Sequence, residues 1–405
     1  MTTLRLVFAF IRRSPLGWAF HVLTLALGVG LTAAIILFGN ALDDRFKNDI
    51  AGIDLVVGAK GSPVQLITSA IFQADIPTGN IPLETAERLA KNRMVAASAM
   101  VLLGDNVKGL RIVGATEGYP AFYGASLARG AWYAAPMEVV LGSAAAETLN
   151  LDVGATFVGQ HGLTGGGEMH GEFPYRVTGV LNETGTVIDR LVLTVPESVW
   201  RIHEHEAKEE AEEKGEAAAA EPRPREVTAL LIKYRSAMGA VTLPKLAAEM
   251  PDIQAAAPPV EAARLRSLLG TGAALMTWLA IALLAVSGIG FVISLFAAIQ
   301  QRRRELALLR TIGTTPARLL GIVLLEASLL GLLGGIIGLA LGRLLAGAIA
   351  SAAGAHGGPV LAIAAFGPFD LAVIGAALAL SLIAAAGPAL SAYRTDPAQI
   401  LKAAA

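Results

Sequence analysis

The sequence HEHE at residues 203–206 brings imidazole and carboxylate groups together, and both groups bind divalent metal ions. His203 and His205 are only two residues apart, so they do not share a helix face, and no third ligand follows at a definite spacing. The same stretch holds eight Glu and two Lys between residues 203 and 221, which is typical of a solvated surface segment. We therefore predict no metal site, and the alternative is a weak metal-binding loop that uses His203 and His205.

The sequence carries no signature of a catalytic site. It has no Gly-Lys dipeptide, so the phosphate-binding motif G-x-x-x-x-G-K-[ST] cannot occur. The motifs H-E-x-x-H and G-x-S-x-G are also missing, and the chain has no cysteine to act as a nucleophile or thiolate ligand. We expect a chain that is not an enzyme and that binds no cofactor itself.

The composition indicates a membrane protein. Hydrophobic residues make up 54% of the 405 residues and charged residues only 16%, whereas a soluble domain carries about a quarter charged residues. The net charge of −1 argues against a nucleic-acid partner, which would select a basic surface. The partner that this composition requires is a lipid bilayer.

Four apolar stretches are long enough to cross a hydrocarbon core, which takes about 20 residues as a helix. The sequence therefore predicts four transmembrane α-helices and a large α+β extracytoplasmic domain between the first and the second. The predicted divisions in chain order are a cytoplasmic amphipathic segment at 1–15, a first span at 16–38, the extracytoplasmic domain at 39–266, a stalk and second span at 267–299, a cytoplasmic helix at 300–316, a third span at 317–349, a short extracytoplasmic loop at 350–367, a fourth span at 368–391 and a cytoplasmic tail at 392–405.

The positions of Lys and Arg orient these spans. Basic residues precede the first span, cluster at 302–304 between the second and third, and follow the fourth, whereas the loop at 350–367 has none. Because basic loops remain in the cytoplasm, both termini are expected there and the large domain on the outside.

The large domain alternates short β-type runs with short helical runs. MEVVLG, YRVTGVL and ALLIKY have the β-branched, apolar character of strands, and LPKLAAEM reads as a helix. The residues at 203–226 interrupt this pattern as an acidic, linker-like insert that has too little apolar surface to form a core.

The third predicted span contains a ladder of glycines and one carboxylate. Glycines four residues apart let helix backbones approach closely in lipid, either within one chain or between two copies, and the sequence leaves both open. Glu326 is an ionisable group inside the same span, where a structural hydrogen bond is favoured over a proton or substrate role. The helix-packing residues are predicted to be Gly331, Gly334, Gly335, Gly338 and Gly342.

The cytoplasmic segment between the second and third spans predicts a capped amphipathic helix. Leu306, Leu309 and Ile312 recur three residues apart on one face, and Gly313 can end the helix. A connection that only reversed the chain would need a few polar residues. The segment is therefore either an interfacial helix with snorkelling arginines or a docking element for a cytoplasmic partner.

Four segments resemble the FtsX/MacB-type ABC transporter permeases, the type VII or mechanotransmitting class. RRRELALLRTIGTTPARLL is similar to the coupling loop of that family, and LLEASLLGLLGGIIGLALG to its third span. PALSAYRTDPAQIL resembles its C-terminal signature, and EVVLGSAAAETLNLDVGATF its periplasmic core domain. The matches occur in the family's order along nearly the whole chain.

This resemblance implies an assembly in the bacterial cytoplasmic (inner) membrane. Two permease copies, either a homodimer or a pair with a close homologue, would join two copies of a cytoplasmic ABC ATPase, which bind the ATP and Mg. A periplasmic adaptor or lipoprotein is a further implied partner. The residues that the resemblance assigns to ATPase docking are Arg302, Arg303, Arg304, Glu305, Leu306, Leu309, Arg310, Ile312 and Gly313.

Two classes of function follow from the resemblance. In the first, ATP hydrolysis in the partner moves the extracytoplasmic domain and so exports or extracts a substrate. In the second, the chain transports nothing and acts as an FtsX-like signalling scaffold that activates an extracytoplasmic partner such as a cell-wall hydrolase. The transporter-type core domain favours the first class.

Overall fold

The computed structural model describes residues 3–162, 172–213, 224–301, 303–355 and 363–393. The chain divides into two compact units. The membrane unit comprises Met1–Ala41, Gly270–Ala352 and Ala362–Ala405, and the exported unit comprises Leu42–Leu269 with Ala353–Leu361.

The helices of the described residues are, in chain order, α1 (Thr3–Arg13), α2 (Pro15–Ile50), α3 (Pro63–Ala70), α4 (Leu83–Ala90), α5 (Tyr119–Phe122), α6 (Ser143–Leu149), α7 (Pro196–Glu213), α8 (Ala237–Ala248), α9 (Pro258–Gln301), α10 (Arg303–Thr311), α11 (Pro316–Ala355) and α12 (Pro368–Tyr393). A 3-10 turn covers Val187–Arg190. The strands are β1 (Leu55–Ala59), β2 (Ile81–Pro82), β3 (Val95–Val107), β4 (Leu110–Ala115), β5 (Leu127–Gly130), β6 (Glu138–Leu141), β7 (Thr156–Phe157), β8 (Gln160–His161), β9 (Tyr175–Leu181), β10 (Val192–Thr194), β11 (Glu226–Val227), β12 (Ala229–Tyr234) and β13 (Ile253–Ala256).

Among the described residues, four helices are long and apolar enough to span a membrane: α2, α9, α11 and α12. The predicted fold class is confirmed, because the large α+β domain follows the first of these helices and precedes the second. Three of them, α2, α9 and α11, extend well beyond the predicted spans. They have 36, 44 and 40 residues, which correspond to about 54, 66 and 60 Å at 1.5 Å per residue. All three lengths exceed the roughly 30 Å hydrocarbon core.

The exported unit is built on a mixed β-sheet. Within the described residues the main sheet has 11 strands, with the path β13-β1-β12-β3-β4-β10-β6-β9-β5, while β7 pairs with β9 and β8 pairs with β3. Most neighbours are antiparallel, and the parallel pairs are β4 with β10 and β6 with β9. The strands predicted at MEVVLG, YRVTGVL and ALLIKY are β6, β9 and β12.

Helices cover both faces of this sheet because neighbouring apolar residues point to opposite sides of a strand. Leu231 packs in one core with residues of α3 and α5, whereas Leu230 and Ile232 pack in another with residues of α4, α7 and α8. The sheet is therefore the middle layer of a three-layer unit.

The predicted boundaries of the acidic insert at 203–226 need correction. Helix α7 begins at Pro196, where Val199 and Ile202 bury one face of it, and continues through the first acidic residues to Glu213. At the other end, Glu226 and Val227 pair with strand β2. Residues 214–223 lie outside the described part of the chain.

Candidate functional site

Helix α10 connects the second and third spans and has a defined C-terminal cap. Gly313 has φ of +98°, a left-handed conformation that glycine adopts without steric cost. Its N–H donates to the carbonyl of Arg310 at 3.1 Å, and the N–H of Thr314 donates to the carbonyl of Leu309 at 3.1 Å. The helix therefore ends at Thr311 for the reason that the sequence predicts.

The apolar residues of α10 and of the turn that follows it divide into a packed set and an exposed set. Leu309 is partly buried and packs on the chain's own cluster around Leu319 and Ile322. Leu308 and Ile312 are 50% and 82% exposed. The docking face predicted from spacing thus needs correction, because it combined Leu309 with Ile312. The face that is open to another protein holds Leu308 and Ile312.

The basic start of α10 lies beside the N-terminal helix α1. Arg13 and Glu305 form an ion pair at 3.1 Å, and Ile11 packs on the same cluster as Leu309. Both charged side chains remain accessible to water, so this pair orients the two helices more than it stabilises them. Arg303, Arg304 and Leu306 belong to α10, and Arg302 lies outside the described residues.

One row of the α11 glycines faces α2. A Cβ added at Gly338 would lie 2.8 Å from the carbonyl oxygen of Ala26, and one at Gly342 would lie 2.6 Å from that of Gly30. A Cβ at Gly334 would lie 2.8 Å from a methyl of Leu25. These glycines let the two backbones touch, as small residues do between membrane helices.

The second row faces α12. A Cβ added at Gly331 would lie 2.8 Å from Cβ of Ser381, and one at Gly335 would lie 3.0 Å from Cβ of Ala377. Of the two arrangements that the sequence leaves open, packing within one chain therefore accounts for all five glycines.

Glu326 and His21 are ionisable groups in the spans that are nearly buried. Glu326 is 8% exposed, and its helix neighbours Ala327 and Leu330 lie in the apolar cores of the membrane unit. His21 of α2 is 9% exposed, and its Nδ1 is hydrogen-bonded to the hydroxyl of Ser294 in α9. Both groups are thereby kept from the lipid, where they would be costly.

An ion pair joins α11 and α12, and the sequence patterns did not predict it. Arg343 donates to both oxygens of Asp370, from Nε at 2.9 Å and from Nη2 at 2.6 Å. The same guanidinium donates to the carbonyls of Ala364 and Ala365 at 2.8 and 3.1 Å, and the N–H of Gly367 donates to Asp370 at 2.7 Å. The available signal was a basic residue in the third predicted span and an acidic residue at the start of the fourth, which favour a pair.

The part of α2 beyond the predicted first span is fixed inside the exported unit. Asp49 accepts a hydrogen bond of 2.6 Å from the N–H of Val187 in the 3-10 turn and pairs with Arg45 at 3.3 Å. Burial raises the pKa of Asp49 to about 6, although the nearby charges of Arg45 and Arg190 act in the opposite direction. This carboxylate therefore titrates close to neutral pH.

The structure separates the two histidines that the sequence offers as metal ligands. His203 lies near His161, with ring centroids 6.0 Å apart, and near Asp105. His205 contacts Phe173 instead, with ring centroids 5.1 Å apart, and its Nε2 lies 3.5 Å from Glu172. No spacing rule could have found Asp105 and His161, because they are distant from His203 along the chain.

These features define a four-span membrane protein with a large α+β domain after its first span and a capped helix between its second and third. Residues 18–238 match the family model of the MacB-like periplasmic core domain, which is more than half of the chain. Residues 278–397 match the model of the FtsX-like permease C-terminal region. The chain belongs to this family of MacB/FtsX-like permeases, which are membrane subunits of the ABC transporter type.

Two solved structures are similar to the exported part of the chain. The periplasmic region of MacB from Actinobacillus actinomycetemcomitans is 13% identical, with a TM-score of 0.36, over 55% of this chain and 98% of that one. The extracellular domain of the noncanonic ABC-type transporter YknZ from Gram-positive bacteria is 11% identical, with a TM-score of 0.29, over 50% of this chain and 98% of that one. No curated relative matches the chain significantly.

Family membership has three consequences. It implies an ABC ATPase as the partner of this chain and a membrane as its setting, with the large domain on the extracellular side. It also identifies the chain as a permease subunit, a type of subunit that is generally not catalytic.

Proposed function

We propose that this chain couples ATP hydrolysis by a separate ATPase to movement of its exported unit, and that this movement exports or extracts a substrate. Two permease copies assemble with two ATPase subunits at the bacterial cytoplasmic membrane, with both termini in the cytoplasm. The ATPase subunits bind ATP and Mg, and this chain binds neither. An adaptor or lipoprotein is the partner on the outer side.

The observation that carries this proposal is the exposed apolar surface at the end of α10. Leu308 lies on this short capped helix between two spans and Ile312 directly follows the helix, on the side that the basic residues assign to the cytoplasm. Exposed leucine and isoleucine side chains at such a capped helix end suit a groove in a soluble protein, where apolar anchors contribute most of the binding free energy.

The helix that precedes α10 supplies a route for the motion. Helix α9 runs from Pro258 to Gln301 without interruption, and only one residue separates it from α10. It starts in the exported unit and ends in the membrane unit. Because a helix resists bending over this length, a displacement of α10 by the ATPase would be passed along α9.

The test is co-purification of the ATPase with a permease that carries Leu308→Asp and Ile312→Asp. Both side chains are exposed, so the variant should keep its thermal stability and lose both ATPase binding and stimulation of ATP hydrolysis. The matched control is Leu309→Ala, which should lower thermal stability because Leu309 is packed, and should keep ATPase binding. The proposal fails if the double variant still binds and stimulates the ATPase.

A further inference from the structure

Three side chains from separate elements of the exported unit converge beside strand β3. Asp105 belongs to β3, His161 to β8 and His203 to α7, and one ligand atom from each lies within 4.8 Å of the other two. Asp105 is only 1% exposed, whereas the side chain of His161 is 52% exposed. The cluster therefore has a buried end and an end open to solvent.

The strand geometry explains why Asp105 and His161 face each other. They are direct register partners in the antiparallel pair of β3 with β8, and such partners project on the same side of a sheet. The amide of Asn106 fixes this pairing, because its Nδ2 donates to the carbonyl of Gly162 at 2.7 Å and to that of Gln160 at 3.3 Å. The two ligands are thus held by backbone pairing.

A β-bulge at Gly104 leaves space for the third ligand, His203. The register of β3 with β4 shifts between Leu103 and Asp105, which leaves Gly104 as the extra residue. A Cβ on Gly104 would lie 2.9 Å from Nε2 of His203. The imidazole of His203 therefore lies against the backbone of β3, in space that glycine alone leaves open.

A second carboxylate lies beside this cluster. Glu206 follows His203 by three residues on α7, so both side chains lie on one face of that helix. Glu206 Oε1 lies 3.5 Å from Nδ1 of His161, and Asp105 Oδ1 lies 3.6 Å from the same nitrogen. The three clustered ligands are Asp105, His161 and His203, and Glu206 is the group nearest to them that can supply a fourth.

Two of the distances match the spacing of ligands around one ion. A charge-assisted N–H···O bond is about 2.7–2.9 Å long. Two ligands bound tetrahedrally to one zinc ion at about 2.0–2.2 Å are about 3.3–3.6 Å apart. The spacings from His161 to the two carboxylates fall at the longer value, at 3.5 and 3.6 Å.

We propose that Asp105, His161, His203 and Glu206 form a binding site for a divalent transition-metal ion of the zinc class. Imidazole ligands select such ions over Mg²⁺ and Ca²⁺, which prefer oxygen ligands alone. A bound ion would fasten α7 and β8 to β3. The site lies within the exported unit and does not depend on the proposed coupling to an ATPase.

The experiment is a Zn²⁺ titration of the full chain, purified in detergent, stripped with a chelator and read by competition with a chromophoric chelator. We expect one equivalent to bind with micromolar affinity or tighter, and to raise the melting temperature. Asp105→Asn and His161→Gln should each weaken binding at least about tenfold and abolish the thermal shift. His161 is half exposed, so its replacement should not unfold the domain.

Two further variants distinguish binding at these four ligands from binding elsewhere on the acidic helix α7. Gly104→Ala removes no ligand but displaces His203, and should also weaken Zn²⁺ binding. His205→Gln should leave Zn²⁺ binding unchanged, because His205 contacts Glu172 and Phe173 and does not belong to the ligand cluster. The proposal is overturned if the unaltered chain binds no Zn²⁺, if Asp105→Asn and His161→Gln bind as well as it does, or if His205→Gln loses binding.

Discussion

Gly30 of α2 and Gly338 of α11 lie so close together that a Cβ added to Gly30 would be 2.8 Å from the carbonyl oxygen of Gly338. A side chain on either residue would have to push the two helices apart. The first and third spans of the membrane unit are therefore in backbone contact, and the contact depends on glycine at both positions.

Gly338→Ala is expected to destabilise the membrane unit by about 1–3 kcal/mol, the usual effect of overpacking. Its Cβ would lie 2.8 Å from the carbonyl oxygen of Ala26 and 2.9 Å from Cβ of Val29, both in a neighbouring helix. The measurement is the melting temperature in detergent, which should fall.

Gly347→Ala, in the same helix, is the control. Nothing lies within 4 Å of a Cβ at Gly347, and alanine is about 0.5–1 kcal/mol more favourable than glycine in a helix. The melting temperature of this variant should stay level or rise. A fall of equal size in both variants would show that the close approach of α2 and α11 is not the cause of the destabilisation, because only Gly338 lies against α2.

The sequence predicted much of the membrane unit because its signals are local. Length, hydropathy and the four-residue glycine spacing fixed the spans and the packing stripe, and Gly313 fixed the end of α10. The packing partners depend on which helices are neighbours, which no local pattern contains. For the same reason the spacing of Leu309 and Ile312 suggested one docking face, although other residues of the same chain cover Leu309 and leave Ile312 exposed.

Arg343→Met is expected to destabilise the membrane unit strongly, because Asp370 is 1% exposed and would lose its bidentate partner. Removing one member of a buried ion pair typically costs about 3–5 kcal/mol. The double variant Arg343→Met/Asp370→Leu should recover most of the loss, because it leaves no buried charge without compensation. The measurement is the melting temperature of each variant in detergent.

The pair of Arg129 with Asp152 provides the comparison. Its side chains are 54% and 67% exposed, so Arg129→Met should leave the melting temperature nearly unchanged. If Arg343→Met proved equally harmless, or if the double variant were less stable than the single one, the structural role of the buried pair would be refuted.

The raised pKa of Asp49 predicts that the stability of the folded chain depends on pH. Its pKa is raised from 3.8 to about 6 in the folded chain, so between these values the folded state binds more protons than the unfolded state. The contribution of Asp49 to stability is therefore complete below about pH 4 and is lost as the pH rises through about 6. A carboxylate whose pKa was lowered would show the opposite dependence.

The measurement compares the unaltered chain with Asp49→Asn at several pH values. The melting temperature of the unaltered chain, relative to that of the variant, should fall as the pH rises from about 4 to above about 6. Asparagine keeps an acceptor for the N–H of Val187, so the comparison isolates the charge. A relative melting temperature that rises over this range would contradict the assignment.

Only part of the candidate metal site in the exported unit could be predicted from the sequence. The sequence showed the imidazoles and carboxylates at 203–206, and α7 does carry two of the proposed ligands there. The remaining two, Asp105 and His161, are brought together by strand pairing between β3 and β8, and the bulge at Gly104 leaves room for His203 beside them. Register and bulges depend on the whole sheet, so these ligands could not be assigned from spacing.

The central claim is that motion passes along α9 from the cytoplasmic side to the exported unit. The chain has no cysteine, so Glu249→Cys at an exposed position provides a single site for a spin label in each copy. A Gly-Ser pair inserted after Gly270 would make α9 flexible. A four-alanine insertion at the same place adds about one helical turn and keeps the helix rigid.

The decisive measurement is the distance between the two labels in the complex with the ATPase, with and without ATP. We predict that ATP changes the distance in the uninserted chain and in the four-alanine variant, and that the Gly-Ser variant continues to hydrolyse ATP but shows no change in distance. A change that persists in the Gly-Ser variant, or that is absent from the uninserted chain, would contradict the claim.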